Sequence, residues 1–244
     1  MQGFNDRSRR LWGNDAFEKI RYSRVCVLGL GGVGSFALSS FVRGGVENLL
    51  LLDGDEVDKS NINRQALAFQ STVGKRKVEV AKDFVCEINP LCKVSTIDKF
   101  ILTSDVENVC DQIEDFKPDW IVDAIDSISI KLLLAEHFVR DNKFSNYISA
   151  MGAANKFDPT RFSITKLFST KNDGLSRIMR KEVRKREIGD FLVCASDEKN
   201  CVNEDAAITR AGEKKILGSS SFIPPIMGHM IAGYVMNQIA SSNF

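Results

Sequence analysis

Val25-Cys26-Val27-Leu28-Gly29-Leu30-Gly31-Gly32-Val33-Gly34 is the stretch that decides how this chain is read. An apolar run of strand character leads straight into glycines spaced G-x-G-x-x-G, and helical periodicity follows. That arrangement aims backbone N–H groups and a helix N-terminus at a phosphate. Gly29 permits the tight turn, Gly31 removes the Cβ that would hold a phosphate away, and Gly34 lets helix and strand pack closely. Leu49 to Leu52 reads as a second buried strand ending in Asp53. A carboxylate about 20 residues past the glycines accepts hydrogen bonds from ribose hydroxyls. A glycine turn without a ligand would look the same in isolation; the strand, the helix and Asp53 together make a nucleotide the expected ligand.

The surrounding 244 residues suffice for one α/β domain with a sizeable core. Lys and Arg number 33 against 32 Asp and Glu, so no global field drives the protein onto nucleic acid or membrane, and any basic surface must be local. No apolar run approaches the ~20 residues that span a bilayer, and the Arg- and Asp-rich N-terminus lacks the apolar stretch of a signal peptide. The expectation is a soluble, cytoplasmic protein. Cys26, Cys86, Cys92, Cys110, Cys194 and Cys201 form no C-x-x-C pair, which argues against a zinc knuckle or a disulfide framework.

Apolar runs near 24–29, 48–53, 93–98 and 119–124 alternate with helical patterns near 34–44, 75–88, 104–115 and 130–142. This predicts an α/β fold with a Rossmann-like, doubly wound, mostly parallel sheet. Residues 1–244 read as a single domain, with 1–150 as its nucleotide-binding half and 151–244 as its substrate and dimer half. The second half opens on the small-residue turn Met151-Gly152-Ala153-Ala154, continues in a half-buried strand from Arg161 to Phe168, and forms a helical pattern over 173–187. Cys194 to Lys215 is polar and without period, and reads as a mobile loop. A final apolar helix over Met227–Ile239 follows Pro224-Pro225.

Beyond the glycines, Gly54-Asp55-Glu56-Val57-Asp58-Lys59-Ser60-Asn61-Ile62-Asn63-Arg64-Gln65 is an unusually polar run. Arg64 suits bidentate contact with a polyphosphate, and Asn63 and Gln65 add neutral hydrogen bonds; a solvated loop with an incidental Arg would match the spacing equally. Lys75, Arg76 and Lys77 open a helix at the end where the dipole disfavours cations unless they face an anion. Asp126 follows the strand Trp120–Ala124, at the edge where open α/β sheets bind ligands, and beside phosphates an acidic residue most simply holds Mg²⁺. Arg177, Arg180, Lys181, Arg184, Lys185 and Arg186 crowd one helix, the one concentrated basic feature of the chain, facing either a polyanion or solvent. Cys194 and Cys201 lie in or beside the polar loop as exposed or bystander thiols. His137 and His229 sit in apolar helical patterns.

Gly29-Leu-Gly-Gly-Val-Gly34, Asp53-Gly-Asp55, Asn61-Ile-Asn-Arg-Gln65, Val73-Gly-Lys-Arg-Lys77 and Asp123-Ala-Ile-Asp126 together resemble the ThiF/MoeB/HesA family of ubiquitin-activating-like adenylating enzymes. The resemblance implies ATP held by Gly29, Gly31, Gly32, Gly34, Asp53, Asp55, Asn63, Arg64, Gln65 and Lys77. It further implies Mg²⁺ on Asp126, and catalysis by Arg64, Lys77, Asp126 and an N-terminal arginine reaching a partner subunit's site. Arg7 matches that arginine better than Arg10, which implies a homodimer. Ser149–Phe162, the basic helix and Gly218–Pro225 look like the tRNA threonylcarbamoyladenosine dehydratase branch. That branch implies ATP-dependent cyclisation of the modified nucleoside, with Arg177, Arg180, Lys181, Arg184 and Lys185 on tRNA and no zinc. The alternatives are adenylation of the C-terminal glycine of a ubiquitin-like sulfur carrier, and a dehydrogenase-like NAD module. Family association alone suggests a cysteine desulfurase partner.

Overall fold

The computed structural model describes residues 3–140, 144, 146–199 and 217–242. Two short helices, α1 (Asp6–Trp12) and α2 (Asn14–Tyr22), precede β1 (Arg24–Leu28), α3 (Gly34–Gly44), β2 (Asn48–Leu52), α4 (Lys77–Ile88), β3 (Lys93–Ile97), α5 (Val106–Phe116), β4 (Trp120–Asp123) and α6 (Ile128–Ala135). The second half adds β5 (Tyr147–Ala150), β6 (Phe162–Lys166), α7 (Gly174–Lys185), β7 (Leu192–Ser196) and α8 (Ile223–Ser241).

One seven-stranded sheet runs in the order β3-β2-β1-β4-β5-β7-β6. Its pairs are parallel except for β6, which runs antiparallel to β7 with Ile164 opposite Cys194. Successive strand residues point to opposite faces, and both faces are covered. Val25, Val27, Leu49 and Leu51 pack with Phe41 of α3, Val78 and Ala81 of α4 and Ile231 and Val235 of α8. Cys26, Leu28, Leu50 and Leu52 pack with Val109 and Ile113 of α5, Leu134 of α6 and Met179 and Val183 of α7. This two-sided burial is why β1 and β2 read as unbroken apolar runs rather than alternating ones.

The order reverses between β1 and β4. There the crossover helices leave on opposite faces, and a crevice opens at the carboxyl ends of the strands.

Two expectations are corrected, and one segment left without a structural reading is defined. The 194–215 loop does not begin at Cys194, because Leu192–Ser196 is a strand clasped between β5 and β6; residues 200–216, with Cys201, lie outside the described residues. Helix α8 starts at Ile223, earlier than the sequence pattern suggests, with both prolines in its first turn, where a missing N–H leaves no bond unmade. The N-terminal arginine segment is helical, with α1 separated from α2 by Gly13 at φ +81°. Among the described residues, no helix is long and apolar enough to cross a membrane.

Candidate nucleotide and substrate cleft

A cleft of about 960 Å³ occupies the crevice at the strand ends. Its floor is the glycine turn. Gly29 takes φ +86° and donates its N–H to the Leu52 carbonyl at 2.7 Å. A Cβ on Gly34 would lie 1.8 Å from the Gly29 carbonyl oxygen, so only glycine lets α3 start this close to β1. Gly31 differs, since its Cβ would meet nothing nearer than Gln65 Nε2 at 3.9 Å. The protein leaves that space open, on the side where a phosphate would approach.

Asp53 ends β2 nearly buried, and its carboxylate organises the turn. Oδ2 accepts the Leu30 N–H at 2.6 Å and Oδ1 accepts the Asp55 N–H at 2.8 Å. Burial raises the Asp53 carboxyl above its ordinary value, opposed by the charge of Lys77 and by those two N–H groups. Lys77, the first residue of α4, is buried with Nζ 3.0 Å from Asp55 Oδ2 and 3.9 Å from Asp53 Oδ1. Of the three cations expected to face an anion, Lys77 alone lines the cleft. Arg76 turns to Asp98, with Nε 3.0 Å from both carboxylate oxygens, and Lys75 is exposed.

The polar run after Asp55 is ordered. Asp58 Oδ1 accepts the Ser60 N–H at 2.7 Å, and Asn61 Oδ1 accepts the Asp58 N–H at 3.1 Å. Ser35 Oγ, in the first turn of α3, accepts the Ala66 N–H at 3.0 Å and so ties this run to the glycine turn. Arg64 and Gln65 line the cleft. Arg64 Nη1 donates to the Ser60 carbonyl and to Asn63 Oδ1, each at 2.8 Å. Asn63 lies outside the lining; its amide donates to the Ser219 carbonyl at 3.1 Å, so here it orients Arg64 and pins the segment before α8.

Asp126 follows β4 as an exposed carboxylate at the cleft edge. Beneath it is a buried polar cluster that sequence reasoning missed. Asp123 Oδ2 accepts from Tyr147 Oη (2.8 Å), Ser149 Oγ (2.8 Å) and Lys131 Nζ (3.0 Å), while Oδ1 accepts the Ile125 N–H at 3.1 Å. Lys131 Nζ also reaches the Asp123 carbonyl at 3.2 Å and Ser149 Oγ at 2.8 Å. Desolvation lowers the Lys131 pKa against the pull of Asp123, and raises that of Tyr147. The readable signal was a lone Lys inside the apolar run Ile128–Ala135, a position where an unpaired charge is too costly to bury.

On the other flank, the turn after β5 packs against the start of α7. Asp173 Oδ1 accepts both the N–H and the hydroxyl of Ser176 at 2.7 Å, which caps the helix. A Cβ on Gly152 would lie 2.6 Å from Asp173 Oδ2. Lys156, also buried and also missed, sets Nζ 3.6 Å from Asp173 Oδ2 and donates to the Glu198 carbonyl at 3.2 Å. Asn155 exchanges two 2.9 Å hydrogen bonds with Gly218.

Helix α7 divides its side chains three ways. Met179 and Val183 enter the core, Leu175 and Ile178 line the cleft, and Arg177, Lys181, Arg184 and Lys185 are exposed. Arg184 stacks over Phe168 at 4.7 Å. Arg180 instead donates to the Thr170 carbonyl at 2.9 Å and to its hydroxyl, and Arg186 pairs with Glu136 at 2.9 Å.

Arg7 and Arg10 are exposed on α1, and neither lines the cleft of its own chain. Of the two readings of Cys194 the structure favours the bystander: the residue is fully buried in β7 and desolvation pushes its thiol up to about 12, so it is no ready nucleophile. His229 Nδ1 lies 2.6 Å from Ser40 Oγ and His137 Nε2 lies 2.6 Å from Glu114, both outside the cleft lining.

The ThiF family model matches residues 5–240. A Bacillus subtilis protein named tRNA threonylcarbamoyladenosine dehydratase is 38% identical over 236 residues, covering 92% of this chain and 89% of its own. A Haemophilus influenzae protein of the same name is 39% identical over 176 residues, 72% of this chain and 65% of that one. The Escherichia coli dehydratase TcdA, solved in complex with ATP, superposes with a TM-score of 0.82 at 27% identity, covering 96% of this chain and 93% of that one. Its AMP complex gives 0.81 over 95% and 92%.

Proposed function

The chain belongs to the ThiF family, and from that premise we propose that it dehydrates N(6)-threonylcarbamoyladenosine in tRNA at the expense of ATP. The observation that carries this reading is the pairing, in one cleft, of a phosphate-facing flank (Gly31, Arg64, Lys77) with a separate flank built by the β5 turn and α7. An enzyme that only bound a nucleotide would have no need of the second.

The threonyl carboxylate is a poor electrophile. Its oxygen attacks the α-phosphorus of ATP, the bond to pyrophosphate breaks, and AMP becomes the leaving group on the carboxyl carbon. An atom of the carbamoyl group then closes the ring on that carbon and expels AMP, so the nucleoside loses one water and no protein nucleophile is required. Asp53 and Asp55 hold the ribose. Gly31 leaves room for the phosphates on a turn that Gly29, Gly32 and Gly34 shape through close packing, and Lys77 and Arg64, oriented by Asn63, spread their charge as pyrophosphate separates. Gln65 adds a neutral contact.

Asp126 is the residue that would hold Mg²⁺. It is a lone solvent-facing carboxylate, and among the described residues no group of three or more His, Cys, Asp or Glu gathers to hold a metal. One carboxylate plus phosphate oxygens and waters is the donor set Mg²⁺ accepts. When bound, the ion supplies Lewis-acid charge neutralisation at the phosphates; no resident zinc belongs to this reading.

Arg177, Lys181, Arg184 and Lys185 meet tRNA phosphates, with Arg180 bracing the helix from within. Arg7 serves the cleft of the second protomer in a homodimer, a closed two-fold arrangement with two shared sites. A cysteine desulfurase system as partner and a cytoplasmic location complete the proposal. The test is AMP release from ATP by the purified protein. Release that requires tRNA carrying the modification supports the reading; release driven instead by a sulfur-carrier protein, with tRNA inert, overturns it.

A further inference from the structure

The sheet order lays out the cleft in sequence. Over β2 and β3 lie Asp53 with Phe100 and Ile101, the flank for the ribose and base of ATP; over β1 lies the glycine turn; over β4, Asp126. The last flank, over β5, has a different character. Met151 and Ala153 of the turn, Leu175 and Ile178 of α7, and Leu217 line it.

Leu217, through the Gly218–Asn155 hydrogen bonds, is fastened to the β5 turn, and Asp173 holds the start of α7 against Gly152. Ile178 remains 42% exposed and Leu217 54% exposed, although both face a preformed cleft. A volume of about 960 Å³ stands at the top of the ~300–1,000 Å³ range for small-molecule sites.

Resting on the function proposed above, we infer that this apolar flank is the seat of the threonyl side chain carried on the modified adenine, and that Ile178 and Leu175 of α7 decide specificity for the modified nucleoside. The threonyl methyl is the apolar part that the unmodified nucleoside lacks, and it matches apolar walls. Ile178 adjoins Arg177 in sequence and lies one turn before Lys181, both exposed. One helix therefore offers the modification its apolar side and the flanking phosphates its cations. The carboxylate borne by the base then falls toward Asp126 and the glycine turn, between the two nucleosides.

The test compares wild type with Ile178→Asn and Ile178→Leu, using anticodon stem-loops with and without the threonylcarbamoyl group. Ile178→Asn should raise KM for the modified stem-loop by about tenfold, with ATP affinity and binding of the unmodified stem-loop within twofold of wild type. Ile178→Leu should restore the discrimination. Unchanged KM in Ile178→Asn while wild type converts the substrate overturns the assignment of this flank. Failure of wild type itself to convert the substrate overturns the function on which the assignment rests. Equal weakening of modified and unmodified stem-loops also overturns it, by assigning Ile178 to general binding.

Discussion

Replacing Lys131 by Met isolates the buried charge cluster beneath the cleft. Lys131 is 1% exposed and Asp123 is fully buried, so the substitution leaves a carboxylate in the interior without its counter-ion. Breaking a buried pair in this way costs ~3–5 kcal/mol. The low end applies here, because Asp123 keeps bonds from Tyr147, Ser149 and the Ile125 N–H. A loss of about 3 kcal/mol is a large share of the ~5–15 kcal/mol by which domains are stable. With a urea m-value of ~2 kcal/mol/M it moves the unfolding midpoint down by about 1.5 M. The double variant Lys131→Met/Asp123→Asn, which removes both charges, should regain at least half of that. Urea unfolding at pH 7 measures both. A Lys131→Met loss below ~1 kcal/mol, or no recovery in the double variant, would refute the view that this pair is desolvated and mutually dependent.

Other consequences are as direct. Lys77→Ala should lower ATP turnover by ~100-fold or more while the remaining partners keep the fold; wild-type turnover would remove Lys77 from the site. Asp53 carries its own pH signature. With its folded pKa raised by burial, its contribution to stability is fully present below the unfolded value near ~3.9 and is lost as pH rises through the raised folded value. ATP affinity should run the other way, falling on acidification through the same window as the ribose-binding carboxylate is neutralised, with the fall absent in Asp53→Asn when titrated calorimetrically in parallel. Arg177→Glu/Lys181→Glu/Lys185→Glu should weaken tRNA binding and flatten its salt dependence by roughly one phosphate contact per cation, with ATP affinity unchanged. An unaltered salt slope would make that face merely solvated.

The parts of the molecule legible in the sequence are those where local pattern and tertiary role coincide. β1 and β2 are apolar throughout because both faces are covered, and Gly34 is dictated by the carbonyl of Gly29 that it touches. The basic helix was visible, but not which of its side chains turn to a hydrogen bond or to the cleft. Arg180 and Leu175 differ from their neighbours only in what lies opposite, the Thr170 carbonyl for one and the cleft for the other.

Cys194 misled because a short apolar run beside a polar stretch resembles a loop until β6 is seen to pair with it. Asp123, Lys131, Lys156 and Asp173 were missed for one reason: their meaning lies in partners 8 to 42 residues away. Spacing along a chain carries no trace of such pairings.

The central claim is the conversion of the modified nucleoside with ATP, and nucleoside mass spectrometry after mild, neutral digestion tests it most directly. tRNA carrying threonylcarbamoyladenosine, incubated with purified protein, ATP and Mg²⁺, should yield a nucleoside lighter by one water, and should yield none when ATP is withheld. A nucleoside of unchanged mass, from protein that demonstrably binds ATP, would contradict the account.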